Sequence, residues 1–565
     1  MVGTYQIVEL MKFVVLVAMS FTPPTALSAS TRNSVDTSRI RDYGTTEVWI
    51  SPNARKGKGK GTQAEPLDAH TQAAFQSVID TVPANSTIRM VDGVYPKMSL
   101  TIRKGVTLSG SRKAVITQAS GTNHPIFALS GVDTDFTLEG ISLEHGTAFM
   151  EENNVAAILG GCRKLRVTDI YSSDFNNTIY ITDALTQEVD VERCQFEYTY
   201  GRASVSNVAP YDHPCAAIAG TPKRLIVRNN RFNGLLDPTF AHASPNVPES
   251  QKQAADNFVQ TGNHDFCLVE GNNVSNFGIE GIFIARDKAA GDYAVRITNN
   301  NMIGSVFHNQ TYSPVYAPGI KVQNSKGEIV ANTISNTNIG ISAEFSRYDE
   351  GENIIQISQN SVNHCLLGIE GIRISGKSIA SRNSVWNSSE PVRSVWGPRA
   401  VPTELYGIVA DHGNVIGNKL VSDEPIWDAK TVLLARSGVV FTVASASDIN
   451  ANTGALISYA NGGFAAFPVR QVSGNRITVD STFANTFSNV TDGPLLYTRS
   501  FANGLSNGGI VVRSGGTIYA DGNVIVGHRN DISQQISGSI VASHHTARDC
   551  HVTRSNTPGL FLIKP

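Results

Sequence analysis

The chain of 565 residues is 41% hydrophobic and only 17% charged, with 49 glycines and a formal net charge of -2 at pH 7. Ample apolar content without charge runs excludes a disordered chain, and the missing heptad tract excludes a coiled coil. Near-neutrality excludes a global basic footprint for nucleic acid.

In chain order, the first feature is the apolar run Met11–Phe21 (MKFVVLVAMSF). One positive charge, a short apolar core and the small residues Ala26, Ser28 and Ala29 form a secretory-signal pattern over 1–29, with Met11 as an alternative start. The run is shorter than the roughly 20 residues a membrane span needs. The expectation is a secreted or periplasmic protein with no membrane span.

Segment 41–85 reads as an N-terminal strand and capping helix. Thr46–Ser51 is strand-like, and Arg55–Gly61 is a basic glycine loop without the GK[ST] ending of a phosphate-binding loop. His70–Val82 places Ala74, Phe75, Val78, Ile79 and Val82 on one helical face, suited to covering the open end of a stacked core.

From about residue 86 a repeat takes over. The motif Asn, any residue, apolar residue begins at Asn230, Asn272, Asn300, Asn332, Asn360, Asn383, Asn418 and Asn523, at spacings of 23 to 42 residues before a last gap of 105. A second marker, Gly-Ile, opens strands at Gly281, Gly319, Gly340, Gly368, Gly407 and Gly509. A constant rung with loops of variable length satisfies both, each rung reading strand, turn, strand, Asn turn, strand, loop. Stacked Asn side chains can hydrogen-bond from rung to rung, which offsets the cost of burying amides. Cys194 and Cys550 fall where this ladder expects Asn, and the six widely spaced cysteines read as buried single thiols. The solenoid covers 86–438 and resumes at 501–565. The interval 439–500, with short strands such as Ala455–Tyr459 and Asn475–Asp480, reads as an inserted small β module.

This pattern resembles the right-handed parallel β-helix superfamily of pectate lyases and related carbohydrate-active enzymes, and Thr87–Tyr95 resembles their opening rung. The resemblance implies an all-β fold, a right-handed parallel β-helix solenoid with an N-terminal capping helix. Its implied partner is a polysaccharide or oligosaccharide substrate, bound by a monomer or homo-oligomer.

Aligning the Gly-Ile strands, the outward positions are Phe283 and Ala285, Lys321 and Gln323, Ser342 and Glu344, Glu370 with Arg373, then Val409 and Asp411. Arg286, Arg347, Tyr348 and Asp349 follow these strands, and loops bring His308, Tyr312, Tyr316, Trp386 and Trp396. Two chemistries compete for this patch. A uronate lyase needs a base for the proton alpha to a carboxylate and a cation for the developing enediolate. Lys321 is the candidate base and Arg347 the carboxylate ligand or proton donor, with Arg286, Tyr312, Tyr316, Arg373 and Asp411 as substrate-binding candidates. This Lys–Arg division resembles the alginate and dermatan lyases of the β-helix class. Their Glu-x-Glu calcium site before the lysine is Val315-Tyr316-Ala317-Pro318-Gly319 here, so calcium stays open, no metal ligand is assigned and no other cofactor is implied.

A glycoside hydrolase or transglycosylase instead needs two carboxyl groups, about 5–5.5 Å apart for retention or 6.5–9.5 Å for inversion. Glu344 and Glu370 are the candidates, with Asp411 third. A non-catalytic glycan-binding β-helix is the remaining alternative. Polygalacturonases and alginate epimerases of the AlgG type are disfavoured, because the Asp-Asp, Gly-His-Gly and Asp-Pro-His-Asp motifs are missing. His544 and His545 are adjacent on a strand and face opposite ways, which argues against a metal pair.

Overall fold

The computed structural model describes residues 47–562, except 55–58, 119–123, 145–155, 174, 176, 183–185, 198–215, 235–256, 263, 278–279, 286–293, 305–317, 338, 345–354, 364–369, 388–405, 423–428, 452–454, 461–462, 480–492, 499–507, 513–516, 529–531, 535–538, 545 and 549–559. The signal-like segment 1–29 lies outside the described residues, and no helix among those described is long and apolar enough to cross a membrane.

Short apolar-alternating runs make strands whose inward face must be covered, and each covers the next by pairing in parallel. Three strands form one rung. Pro318–Gln323, Gly327–Val330 and Thr333–Ser335 make one, and Ile339–Glu344, Ile355–Ser358 and Ser361–Asn363 pair onto them as the next. Among the described residues the strands build a 28-stranded and a 14-stranded parallel sheet. The larger sheet is two ladders fused by Phe127–Glu139 and Ala156–Thr168, each long enough to run through both. The fold is a parallel β-helix, and its interior is one continuous apolar cluster from Val48 to Ala542.

The corner between the second and third strands carries the asparagine ladder. Asn272 donates its side-chain amide to Asn300 Oδ1 at 2.8 Å and to the Val227 carbonyl at 3.1 Å. The same pattern runs through Asn300, Asn332, Asn360, Asn383 and Asn418 to Asn523. The residue before each ladder position has a left-handed backbone, with φ of 55° at Arg193, 57° at Ala331 and 57° at Gln359, and glycine at 271, 417 and 522. The tight corner imposes that conformation even on residues that disfavour it. Cys194 occupies the ladder's first place, where its backbone N–H donates to Asn230 Oδ1 at 2.8 Å and its thiol to the Glu192 carbonyl. Burial pushes that thiol up to about 12. Cys162, Cys194 and Cys267 are buried as single thiols, while Cys215, Cys365 and Cys550 lie outside the described residues.

The glycine column that opens the first strand of each rung has a steric cause. A Cβ on Gly340 would sit 2.2 Å from Val362 Cγ1, and one on Gly371 would sit 2.1 Å from Val385 Cγ1. This corrects one position of the sequence alignment: Ile341 pairs with Ile372, so the glycine in register is Gly371, not Gly368. The local sequence GIEGI offers two Gly-Ile dipeptides, and only pairing selects the second.

At the N-terminal end the helix Gln72–Thr81 starts at Thr71, whose Oγ1 accepts from Ala74 N at 3.2 Å, and it buries Ala74, Phe75, Val78 and Ile79. Gln76 ties it to the first rungs, exchanging hydrogen bonds with the Thr101 backbone. Farther along, six antiparallel strands from Ala429–Ser437 to Gly493–Thr498 close into a barrel with its own core around Phe441, Leu456 and Phe467. The inserted module therefore starts at Ala429, before the 439 boundary read from sequence. Ala429–Ser437 is needed to close the barrel, pairing with both Val440–Val443 and Gly493–Thr498. The ladder bond from Asn418 to Asn523, 3.0 Å long, bridges the insertion.

Candidate functional site

On the first strand of each rung, residues beside the inward isoleucines face outward. Pairing defines this outer column as Gln260, Phe283, Lys321, Ser342, Arg373 and Val409. Gln323 and Glu344 pair two residues further on. Three residues before the column, ahead of the glycine bend, lies a second register, from which Glu280 reaches Lys321. There Glu370 pairs with Ile339 and Tyr406, and Glu280 stands in the same register three rungs before Glu370. Glu370 is therefore not the neighbour of Ser342 that the Gly368 alignment implied; Arg373 holds that place.

Lys321 is buried, 6% exposed, yet it is on the outside of the solenoid. Its Nζ lies 3.5 Å from Glu280 Oε1 and 4.8 Å from the centre of the Phe283 ring on the preceding rung. Glu280 is itself 8% exposed and is fixed by Asn257, which donates from Nδ2 to Oε2 at 3.4 Å and accepts the Glu280 backbone N–H at 3.1 Å. Asn257 also reaches Gln260 Oε1 at 3.3 Å. The result is a desolvated cation–carboxylate pair with the aromatic face adding to the attraction.

The next rungs carry a second ionic group. Glu344 Oε1 accepts from Ser342 Oγ at 2.8 Å and from Arg373 Nη1 at 3.0 Å, while Gln323 approaches Oε2 at 3.5 Å. The chain's own Glu344 carboxylate thus rests between Ser342 and Arg373. Asp411 follows this strand set, its N–H bonded to the Ile374 carbonyl. Trp386 projects from a different sheet, opposite Asn363 and Val421, and is not part of this face.

Lys321, Glu344, Arg373 and Asp411 are thus brought to one face. Arg286, His308, Tyr312, Tyr316, Arg347, Tyr348, Asp349 and Trp396 lie outside the described residues, as does the side chain of Glu370. Sequence reasoning missed Glu280, Asn257 and Gln260. The signal for Glu280 was present: it immediately precedes Gly281, one position outside the aligned window. Among the described residues no three His, Cys, Asp or Glu side chains converge as metal ligands.

No family model matches the sequence, and no curated protein matches it. Among solved structures, the chain is similar to the crystal structure of the periplasmic alginate epimerase AlgG, with 11% identity and a TM-score of 0.26 over 61% of this chain and 78% of that one.

Proposed function

We propose that this chain is an exported polysaccharide lyase that cleaves a uronate-containing polymer by β-elimination on the outer face around Lys321. The supporting observation is the buried Lys321–Glu280 pair, held at 3.5 Å outside the hydrophobic core. Taking a cation and a carboxylate out of water on the outer face carries a desolvation cost, and we assign that cost to chemistry at this face.

In this reading a uronate carboxylate takes donors from Arg373 and Ser342, the two groups that hold Glu344 Oε1. Ser342 is one rung from Lys321, so the α-carbon of that sugar lies within reach of Nζ. With Lys321 as the proposed base, its amine takes the α-proton, electrons move into the carboxylate as an enediolate, and the resulting ammonium stands beside that charge. Collapse expels the glycosidic oxygen and leaves a double bond, with Arg347 as the proposed donor to the leaving oxygen.

The test is incubation of the purified chain with acidic and neutral polysaccharides, following unsaturated-uronate absorbance and new reducing ends together. The expected result is both signals, lost in Lys321→Ala and retained in Glu344→Gln. Reducing ends without absorbance would overturn elimination and assign the chemistry to the carboxylates Glu344, Glu370 and Asp411.

A further inference from the structure

Consecutive rungs place Lys321, Ser342 and Arg373 side by side on the outer column. Ser342 and Arg373 are already engaged by a carboxylate of the chain itself. Glu344 Oε1 accepts from Ser342 Oγ at 2.8 Å and from Arg373 Nη1 at 3.0 Å, so one oxygen takes both donors. Its other oxygen lies 3.5 Å from Gln323 Nε2 on the preceding rung. Ser342 is fully buried and the Glu344 and Arg373 side chains are only partly exposed, so water screens this pair less than an exposed one. Glu344 thus presents to Arg373 the same functional group that a sugar acid carries.

We infer that Glu344 is a specificity-determining residue, an internal competitor that a sugar acid must displace from Arg373 and Ser342. This rests on the lyase reading of the same face. A carboxylate arriving at Arg373 gains the bonds that Glu344 gives up, so the exchange by itself yields little affinity. Where Glu344 stays in place, two carboxylates share one guanidinium and repel each other. In both cases the acid group of a single sugar is a weak ligand. An oligomer enters because contacts to its neighbouring sugars hold the acid group beside Arg373 at high effective concentration. The site therefore selects a uronate chain over small free carboxylates.

The test crosses two forms of the chain with two forms of the ligand. Tetrasaccharides of galacturonate, guluronate, mannuronate and glucuronate, each as free acid and as carboxamide, are titrated calorimetrically into the unmodified chain and into Glu344→Gln. Salt is held at about 0.15 M, where distant charges are screened. Glutamine keeps the shape of Glu344 and an acceptor for Ser342 and Arg373, without the charge. The unmodified chain is expected to bind acid and carboxamide within about fivefold of each other, the reach of a merely neighbouring exposed charge. In Glu344→Gln the preference for the acid is expected to rise at least about tenfold. A rise of less than about fivefold overturns the inference. So does an acid preference above about tenfold in the unmodified chain, a result that needs no variant to fold. Unsaturated products from a polyuronate leave the lyase reading standing in either event. Absence of both binding and cleavage for every uronate, in both forms of the chain, refutes the lyase reading and the competitor role with it.

Discussion

Replacing Asn360 by alanine tests the rung-to-rung ladder most directly. Asn360 is buried and its side chain makes five bonds: Nδ2 donates to the Ile329 carbonyl at 2.9 Å, to the Ser358 carbonyl at 3.0 Å and to Asn383 Oδ1 at 3.0 Å. Its Oδ1 accepts from the backbone N–H of Asn332 at 2.9 Å and from the Asn332 side chain at 3.0 Å. Alanine takes the acceptor from a buried backbone N–H and the side-chain donor from a buried carbonyl. At about 1–3 kcal/mol for each such group, the loss is roughly 2–6 kcal/mol. Repeat solenoids need not unfold in one step, so a local measurement is preferable to a melting temperature alone. Hydrogen exchange followed by mass spectrometry should show the Asn332 amide losing protection first, with neighbouring rungs affected less. Asn301→Ala, whose exposed side chain makes a single 3.5 Å contact to Asn273, is the control and should stay within about 0.5 kcal/mol. Unchanged protection at Asn332, with a denaturant midpoint shifted by under about 1 kcal/mol, would refute the ladder as a source of stability.

Glu280→Leu alone leaves the Lys321 ammonium buried with one carboxylate fewer and should cost about 3–5 kcal/mol, whereas adding Lys321→Met should recover most of it and abolish cleavage; a double mutant as unstable as the single one would contradict this in chemical denaturation. Ala331→Gly should gain up to about 1 kcal/mol, since φ is 57° there and the relief exceeds the entropy glycine adds to the unfolded chain; destabilisation would show that the corner is not strained. Burial pushes the His528 imidazole down to about 3, below its unfolded value of about 6.5. The unfolded chain therefore takes up a proton first as pH falls, so stability is fully present above about 6.5 and declines toward 3, by up to about 1.4 kcal/mol per pH unit. His528→Leu should flatten that part of the stability profile, and an unchanged slope would locate the acid sensitivity elsewhere. Phe441→Ala, which removes a ring packed 5.0 Å from Phe467, should cost the barrel about 3–5 kcal/mol. Limited proteolysis should then cut within 429–498 while the solenoid stays intact, and simultaneous loss of both would show that the two are one cooperative unit.

The Asn-x-apolar repeat was sufficient to read the solenoid, because each ladder asparagine satisfies its amide by bonding to the next and so must recur once per rung. Most Gly-Ile strand starts were legible for a similar reason: a Cβ at the bend collides with the adjacent turn. The Gly368–Gly371 choice was not legible, since the dipeptide occurs twice within four residues and only inter-strand pairing distinguishes them. The first barrel strand was missed because Ala429–Ser437 reads as one more solenoid strand until its antiparallel partners at 440–443 and 493–498 are in place. At the site, sequence periodicity placed Lys321, Ser342 and Glu344 on the outer face. That Lys321 is buried against Glu280 and Phe283, and that Glu344 is held by Arg373, depends on which rungs lie next to each other. Local periodicity determines the face each residue takes. Which charges meet across rungs, separated by tens of residues in the chain, was decided only by the lateral register of the folded sheet.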